Sequence, residues 1–304
     1  MNCPYCNGSN TIKKGTRNGT QRYKCRDCKD KGMQYWFFKE INHIEHKGKA
    51  PKILVIDIET LPTIAYTWAI WDVNIPPVNI IQDTCILSWS AKWLYDSNIM
   101  SDILTSDEAI DRNPDRLVTN IWDLFDEADF AVAYNGLGFD FKHLNTAWIT
   151  AELSPPSLYR KIDPFPIVKK TFNFTSYKMD YITKKLGLQR KLPTDMSFWI
   201  GCSNGEKEAL NKMLEYNKHD IIVLEELYLK FRPWMENHPN IGAYHDSNDA
   251  VCKYCGSTNI TDLKDKFYYT NASKFQTARC NDCTGITRYP KSVLTKEKRK
   301  SLMK

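Results

Sequence analysis

Four Cys-x-x-Cys pairs constrain this chain more than any other feature: Cys3/Cys6, Cys25/Cys28, Cys252/Cys255 and Cys280/Cys283. Two pairs lie at each end, and only Cys85 and Cys202 fall between them. A short segment rich in Gly, Asn, Lys and Arg cannot bury enough apolar surface to fold alone. Four thiolates can close one tetrahedral zinc site whose binding energy replaces the missing core. A secreted disulfide framework is the alternative. The N-terminus, MNCPYCNGSN, carries no hydrophobic signal core, and the pairs bracket a cysteine-poor middle, so zinc is the better reading. We therefore expect two structural Zn²⁺ ions, one on Cys3, Cys6, Cys25 and Cys28, the other on Cys252, Cys255, Cys280 and Cys283. The two modules look like versions of one ribbon: PYCNGSNTI pairs with KYCGSTNI, and CRDC with CNDC.

Charge follows the same partition. Residues 1–50 hold 11 Lys/Arg against 4 Asp/Glu, and residues 251–304 hold 12 against 4. With 42 basic and 36 acidic residues in all, the remaining 51–250 carry 19 against 28, a net of −9. Basic ends on an acidic centre suggest a polyanion held by the flanks. No run of eighteen apolar residues occurs, which argues against a membrane span and for a soluble, cytoplasmic protein.

The middle reads as α/β. KILVIDIE is an apolar β-rich run, TCILSWSAKWLY and NIMSDIL follow as strands, and FAVAYN is a short buried strand. Leu117, Ile121, Leu124 and Phe125 have helical spacing, and a Gly-containing turn leads into a helix near Asp140. SYKMDYITKKLGL ends at Gly187, a fitting C-cap. A long amphipathic helix covers EKEALNKMLEYNKHDIIVLEELYLKFRPWM, with a break allowed near Tyr216–Asp220 and a stop before Pro233. Strands followed by alternating helices and strands give a three-layer domain.

Four carboxylates carry the chemistry. Asp57 and Glu59 are two apart on a strand and share a face. Asp220 follows Tyr216 by four on a helix, so these also share a face. Asp140 opens the helix after the Gly turn. Four acids converging in an interior repel one another unless cations neutralise them, so divalent metal is the natural inference and two-metal phosphodiester chemistry its natural use. Singly, each acid has a plainer role as a strand end, helix cap or surface charge. Asp180 and Asp195 fit the order of motifs less well, and Asp123, Asp126, Glu127 and Asp129 read as a solvated helix end. His143, His238 and His245 are isolated and read as surface or structural residues.

In order, DIE, NGLGFD and YNKHD resemble the three motifs of DEDD (DnaQ-like) 3′–5′ exonucleases on the ribonuclease H-like fold. YxxxD, with Tyr216, matches the DEDDy branch; the DEDDh branch would need His where Glu215 stands. The resemblance implies a ribonuclease H-like three-layer mixed sheet with helices and two catalytic ions on Asp57, Glu59, Asp140 and Asp220. It further implies that Tyr216 orients the attacking water and that Thr60 and Leu61 touch the terminal nucleotide. Asn135 and Phe139 are candidate substrate contacts as well, although a turn and core packing are their plainer roles. Separately, CPYCNGSNTIKKGTRNGTQRYKCRDC resembles zinc-binding segments of insertion-sequence transposases and implies nucleic-acid association.

The expected organisation is a ribbon over 1–48, an exonuclease domain over 49–242, a second ribbon over 243–292 and a basic tail over 293–304. The expected substrate is single-stranded or 3′-ended nucleic acid, DNA favoured over RNA, with a polymerase or replication partner admitted. Two other readings stay open: a structure-selective endonuclease on the same fold, and a non-catalytic ribbon protein that binds nucleic acid.

Overall fold

The computed structural model describes residues 3, 8–17, 20–27, 36–38, 50–246 and 248–302. They divide into two compact units, Met1–Glu45 with Tyr95–Asn98, and His46–Leu94 with Ile99–Lys304. In the first unit, β1 (Thr11–Arg17), β2 (Thr20–Cys25) and β3 (Trp36–Phe38) form an antiparallel sheet in that order. Cys3 and Cys25 are buried there. Cys6 and Cys28, the other two expected ligands, lie outside the described residues.

The second unit is built on β4 (Ile53–Leu61), β7 (Cys85–Trp93), β8 (Met100–Ile103), β9 (Phe130–Val132) and β10 (Arg160–Ile162), with β5 (Ile64–Ala65) and β6 (Ile80–Gln82) as a separate small ribbon. The strand order is β10-β9-β4-β7-β8; β10, β9 and β4 run parallel, and β7 and β8 are antiparallel to their neighbours. Period-two alternation splits β4 between two cores. Leu54, Ile56 and Ile58 join a cluster with α2 (Asp115–Glu127) and α3 (Asp140–Thr150), while Ile53 and Val55 join a second cluster on the opposite face. Helices therefore cover both faces, giving the three layers.

Further helices are α1 (Ser106–Asp111), α4 (Pro164–Thr171), α5 (Met179–Leu186), α6 (Met196–Ser203), α7 (Lys207–Phe231) and α8 (Lys296–Lys300), eight among the described residues. Thr105 and Glu108 form a reciprocal capping box on α1, and α5 ends at Gly187 in the left-handed conformation (φ 67°). The break allowed in α7 does not occur: the helix is continuous over 25 residues. It needs no break because its burial changes sides along its length. Leu210, Met213 and Tyr216 pack into the first cluster, whereas Ile221, Leu224 and Tyr228 pack into the second. Tyr216 and Asp220 sit at that crossover.

Three more strands, β11 (Ile260–Thr270), β12 (Ser273–Cys280) and β13 (Ile286–Ser292), form an antiparallel sheet that carries the last two cysteine pairs. This ribbon packs on the segment that follows α7. Ile241 N donates to Lys253 O (2.8 Å), Lys253 Nζ donates to Glu236 O (2.8 Å), and the His238 and Tyr254 rings are 5.8 Å apart.

Candidate active site

Alternation in β4 sets Asp57 and Glu59 on the same face as Ile53 and Val55, at the end of the strand where the apolar cover stops. Their cross-strand partners on β7 are Ser90 and Ser88. Opposed residues of an antiparallel pair share a face, so two small, fully buried serines leave room beside the acids. From the other side α7 delivers Asp220. The carboxylates of Asp57, Glu59 and Asp220 offer oxygen atoms that all lie within 4.8 Å of one another.

Asp140 does not join that trio. It is the first residue of α3, with Phe139 in the cap position, and its Oδ1 accepts a hydrogen bond from Ile58 N (3.1 Å). Ile58 is the residue between the two β4 acids, so Asp140 is a neighbour of the cluster and its charge still acts on Asp57 and Glu59. Tyr216 lies one turn before Asp220, buried, with Lys191 Nζ 5.3 Å from its ring centroid.

Three residues of the site carried no motif. Lys191, from the segment between α5 and α6, puts Nζ 2.7 Å from Asp220 Oδ2. Asn217 on α7 is fully buried: its Nδ2 donates to Asp57 Oδ2 (2.8 Å) and Asp57 O (3.3 Å), and its Oδ1 accepts from Ser88 Oγ (3.2 Å). Asp163 accepts from the backbone N–H groups of Asn135 (2.8 Å), Leu137 (3.0 Å) and Phe165 (2.9 Å), clamping the turn before Asp140. A sequence signal existed only for Asp163, an Asp-Pro pair that caps α4. Lys191 and Asn217 had none.

Within the turn, Asn135 is left-handed (φ 63°). Gly136 admits no side chain, since a Cβ there would lie 2.5 Å from Ala133 Cβ and 2.8 Å from the Phe141 ring. Asn135 also lines a cleft of about 510 Å³ with Asp57, Tyr134, Phe165, Tyr177 and Lys191. Phe139 packs against the first core cluster, 4.5 Å from the His143 ring. Leu61 is fully buried, so only its backbone is left to meet a ligand, and its carbonyl accepts from Thr84 Oγ1 (2.8 Å). Thr60 is half-buried beside an irregularity in the β4–β7 pairing. Asp180 pairs with Arg190 (3.3 Å) and Asp195 caps α6.

Electrostatics expose the cost of this arrangement. Burial, then the charges of Asp220 and Asp140, hold the Asp57 carboxyl well above its ordinary range. Burial raises Glu59 to about 8, against a lowering pull from Lys191. Burial also raises Asp140 to about 7, opposed by the Ile58 hydrogen bond, and raises Asp220 against the pull of Lys191. Burial opposes the Lys191 charge, but Asp57 and Asp220 outweigh it and hold the ammonium firmly protonated. One ammonium faces four carboxylates. Asp220 is fully buried with a single ammonium, Lys191, at its Oδ2. Buried, closely spaced carboxylate oxygens that one ammonium cannot neutralise, with no thiol among them, suit a hard divalent cation.

The second ribbon meets a different test. Cys252, Cys255, Cys280 and Cys283 bring their sulfurs within 4.8 Å of one another, with Cys252–Cys283 at 3.5 Å and Cys255–Cys280 at 3.6 Å. Disulfides need about 2.05 Å. Thiolates on one tetrahedral zinc, at about 2.3 Å each, stand about 3.8 Å apart. The four sulfurs fit a zinc ion.

A family model described as RNase_H superfamily matches residues 104–232, a span that includes Asp140, Tyr216 and Asp220 and begins after β4. The fold is ribonuclease H-like. A family B DNA polymerase from the hyperthermophilic archaeon Pyrobaculum calidifontis is a similar solved structure, at 15% identity and a TM-score of 0.45. The alignment covers 66% of this chain and 26% of the polymerase. No curated protein matches the sequence. Among the described residues no helix is long and apolar enough to cross a membrane.

Proposed function

We propose that the protein is a metal-dependent 3′–5′ exonuclease of the DEDDy type that releases nucleoside 5′-monophosphates from single-stranded or 3′-ended nucleic acid, DNA favoured. The observation that carries this reading is the meeting of Asp57, Glu59 and Asp220 within 4.8 Å from a strand and a helix far apart in sequence, with Asp140 beside them.

In this reading Asp57, Glu59, Asp140 and Asp220 hold two Mg²⁺ or Mn²⁺ ions. Such ions, when bound, lower the pKa of water and neutralise charge on the phosphate and leaving oxygen. Asn217 fixes the Asp57 carboxylate by its 2.8 Å hydrogen bond. Burial pushes the Tyr216 phenol up, so its hydroxyl keeps its proton and orients the attacking water as a hydrogen-bonding group. Attack in line on the terminal phosphorus breaks the bond to the 3′ oxygen of the preceding nucleotide. Asn135 in the cleft and the backbone at Thr60–Leu61 position the last nucleotide. The organisation we propose is a zinc ribbon over 1–48, the exonuclease over 49–242, a second ribbon over 243–292 and a basic tail over 293–304, serving a polymerase or replication partner.

Strands of DNA and of RNA labelled at the 5′ end test this, with wild type and Asp57→Ala compared in Mg²⁺, Mn²⁺ and EDTA. A metal-dependent ladder shortening from the 3′ end, lost in the variant, is expected. Discrete internal products would favour an endonuclease, and an uncut strand in every metal would overturn the reading.

A further inference from the structure

The apolar and charged surfaces of the second unit differ in kind. Residues 62–84 expose Trp68 (102%) and Trp71 (83%), together with Tyr66, Ile70 and Val78, and contain no Lys or Arg. A polyanion would find no counter-charge there. On the second ribbon, by contrast, each exposed aromatic has a cation against it.

In the β11–β12 pairing Tyr268 lies opposite Phe275, and in β12–β13 Thr277 lies opposite Arg288. Opposed residues share a face, as do Phe275 and Thr277 by alternation. Tyr268, Phe275 and Arg288 therefore form a row across all three strands. The Arg288 guanidinium carbon is 4.0 Å from the Phe275 ring centroid and 5.2 Å from that of Tyr268. The reverse face repeats the arrangement on two strands, with Lys274 Nζ 3.7 Å from the Phe267 ring and 5.7 Å from Tyr269. Tyr268 and Tyr269 are 51% and 65% exposed, and Arg288 is exposed. Among the described residues neither Lys274 nor Arg288 makes an ion pair. The surrounding segment, 251–304, has a net charge of +8.

We propose that the Tyr268–Phe275–Arg288 row is a stacking platform for single-stranded nucleic acid, a second binding surface apart from the acidic site. Unpaired bases present the π-faces that an exposed tyrosine and a stacked guanidinium accept, and the guanidinium edge stays available to phosphate. A duplex hides those base faces, so the platform discriminates by strandedness. It rests on the nucleic-acid reading of the acidic site and supplies the affinity for strand upstream of the end being cut.

The test uses full-length, zinc-loaded protein carrying Asp57→Ala, so that no cleavage intervenes, and fluorescence anisotropy with labelled DNA and RNA 20-mers, single-stranded and duplex. Adding Tyr268→Ala and Arg288→Ala should weaken single-strand binding by about tenfold or more. The slope of log affinity on log salt should become shallower by about 0.7 for the lost phosphate contact. Tyr268→Phe, which keeps the ring and leaves the Arg288 guanidinium in place, should retain most of the affinity, and Trp68→Ala with Trp71→Ala should leave it unchanged. Unchanged affinity in the Tyr268/Arg288 variant would overturn the platform, as would an equal loss on duplex or a comparable loss in Tyr268→Phe. Because the readout is binding, a protein that proves unable to cut would still answer the question.

Discussion

Acidification from pH 7 to 5.5 protonates His238 in the unfolded chain, whereas the fold keeps the buried ring neutral. His238 is 6% exposed, with Nδ1 2.7 Å from Pro239 O and Nε2 2.8 Å from the Tyr228 hydroxyl. A carbonyl only accepts, so Nδ1 carries the hydrogen and Nε2 accepts from Tyr228. Burial first, then the charges of Arg232, Lys253 and Arg160, lower its pKa from 6.5 to about 4, against a raising contribution from the Pro239 bond. Tyr228 and Tyr254 complete its surroundings. A depressed folded pKa means that the contribution is fully present above 6.5 and lost as the pH falls toward 4. Linkage over those two values removes about 1.2 kcal/mol between pH 7 and pH 5.5. Urea denaturation of wild type and His238→Gln at both pH values measures it, with bound metal followed in parallel. Carboxylates titrate alike in both proteins, so the difference in their pH dependence isolates His238. The wild type should lose about 1.2 kcal/mol more than the variant over this interval. Equal losses would refute the argument that this ring is buried neutral between Tyr228 and Tyr254.

Two further outcomes probe the acidic cluster. Glu59→Gln should stabilise the metal-free protein at pH 7.5: a carboxyl raised to about 8 penalises the fold at any pH above its ordinary 4.5. Partial exposure limits the gain to about 1–2 kcal/mol; a lower metal-free melting temperature would contradict it, and added Mg²⁺ should narrow or reverse the gap. Lys191→Met leaves the buried Asp220 carboxylate without its ammonium and should cost about 2 kcal/mol. Most of that cost should vanish in an Asp220→Asn background, and additive losses in the double-mutant cycle would show that the 2.7 Å contact contributes nothing.

How far the sequence was legible depends on the range of the interaction. Apolar alternation in ILVIDIETL predicts β4 and the shared face of Asp57 and Glu59, because a strand's period is a local property. Gly187 marks the end of α5 for the same reason: only a residue without Cβ adopts φ 67° at little cost. The break allowed in α7 fails because a local pattern of polar residues near Asp220 does not report that the helix exchanges one core for another there. Asn217 reads as one more polar residue on an amphipathic helix. Its role comes from a hydrogen bond to Asp57, 160 positions away. Lys191 sits in a segment without regular structure, and its position depends on that segment being tied to α7 by Gln189 N to Glu226 Oε2 (2.9 Å) and His219 Nε2 to Arg190 O (2.6 Å).

By itself, the sequence determined the inventory and its local presentation: two carboxylates on one strand face, one acid at a helix start, one on a helix, and cysteines in pairs that a knuckle brings together. Those follow from bond geometry and periodicity within a few residues. Tertiary structure alone decided that Asp57, Glu59 and Asp220 form the close trio while Asp140 bonds to the Ile58 amide beside it. It also decided that Lys191 supplies the cation, and that Arg288 lies across two aromatic rings. The reason is physical: charges interact through distance and dielectric, and both are properties of the packed chain.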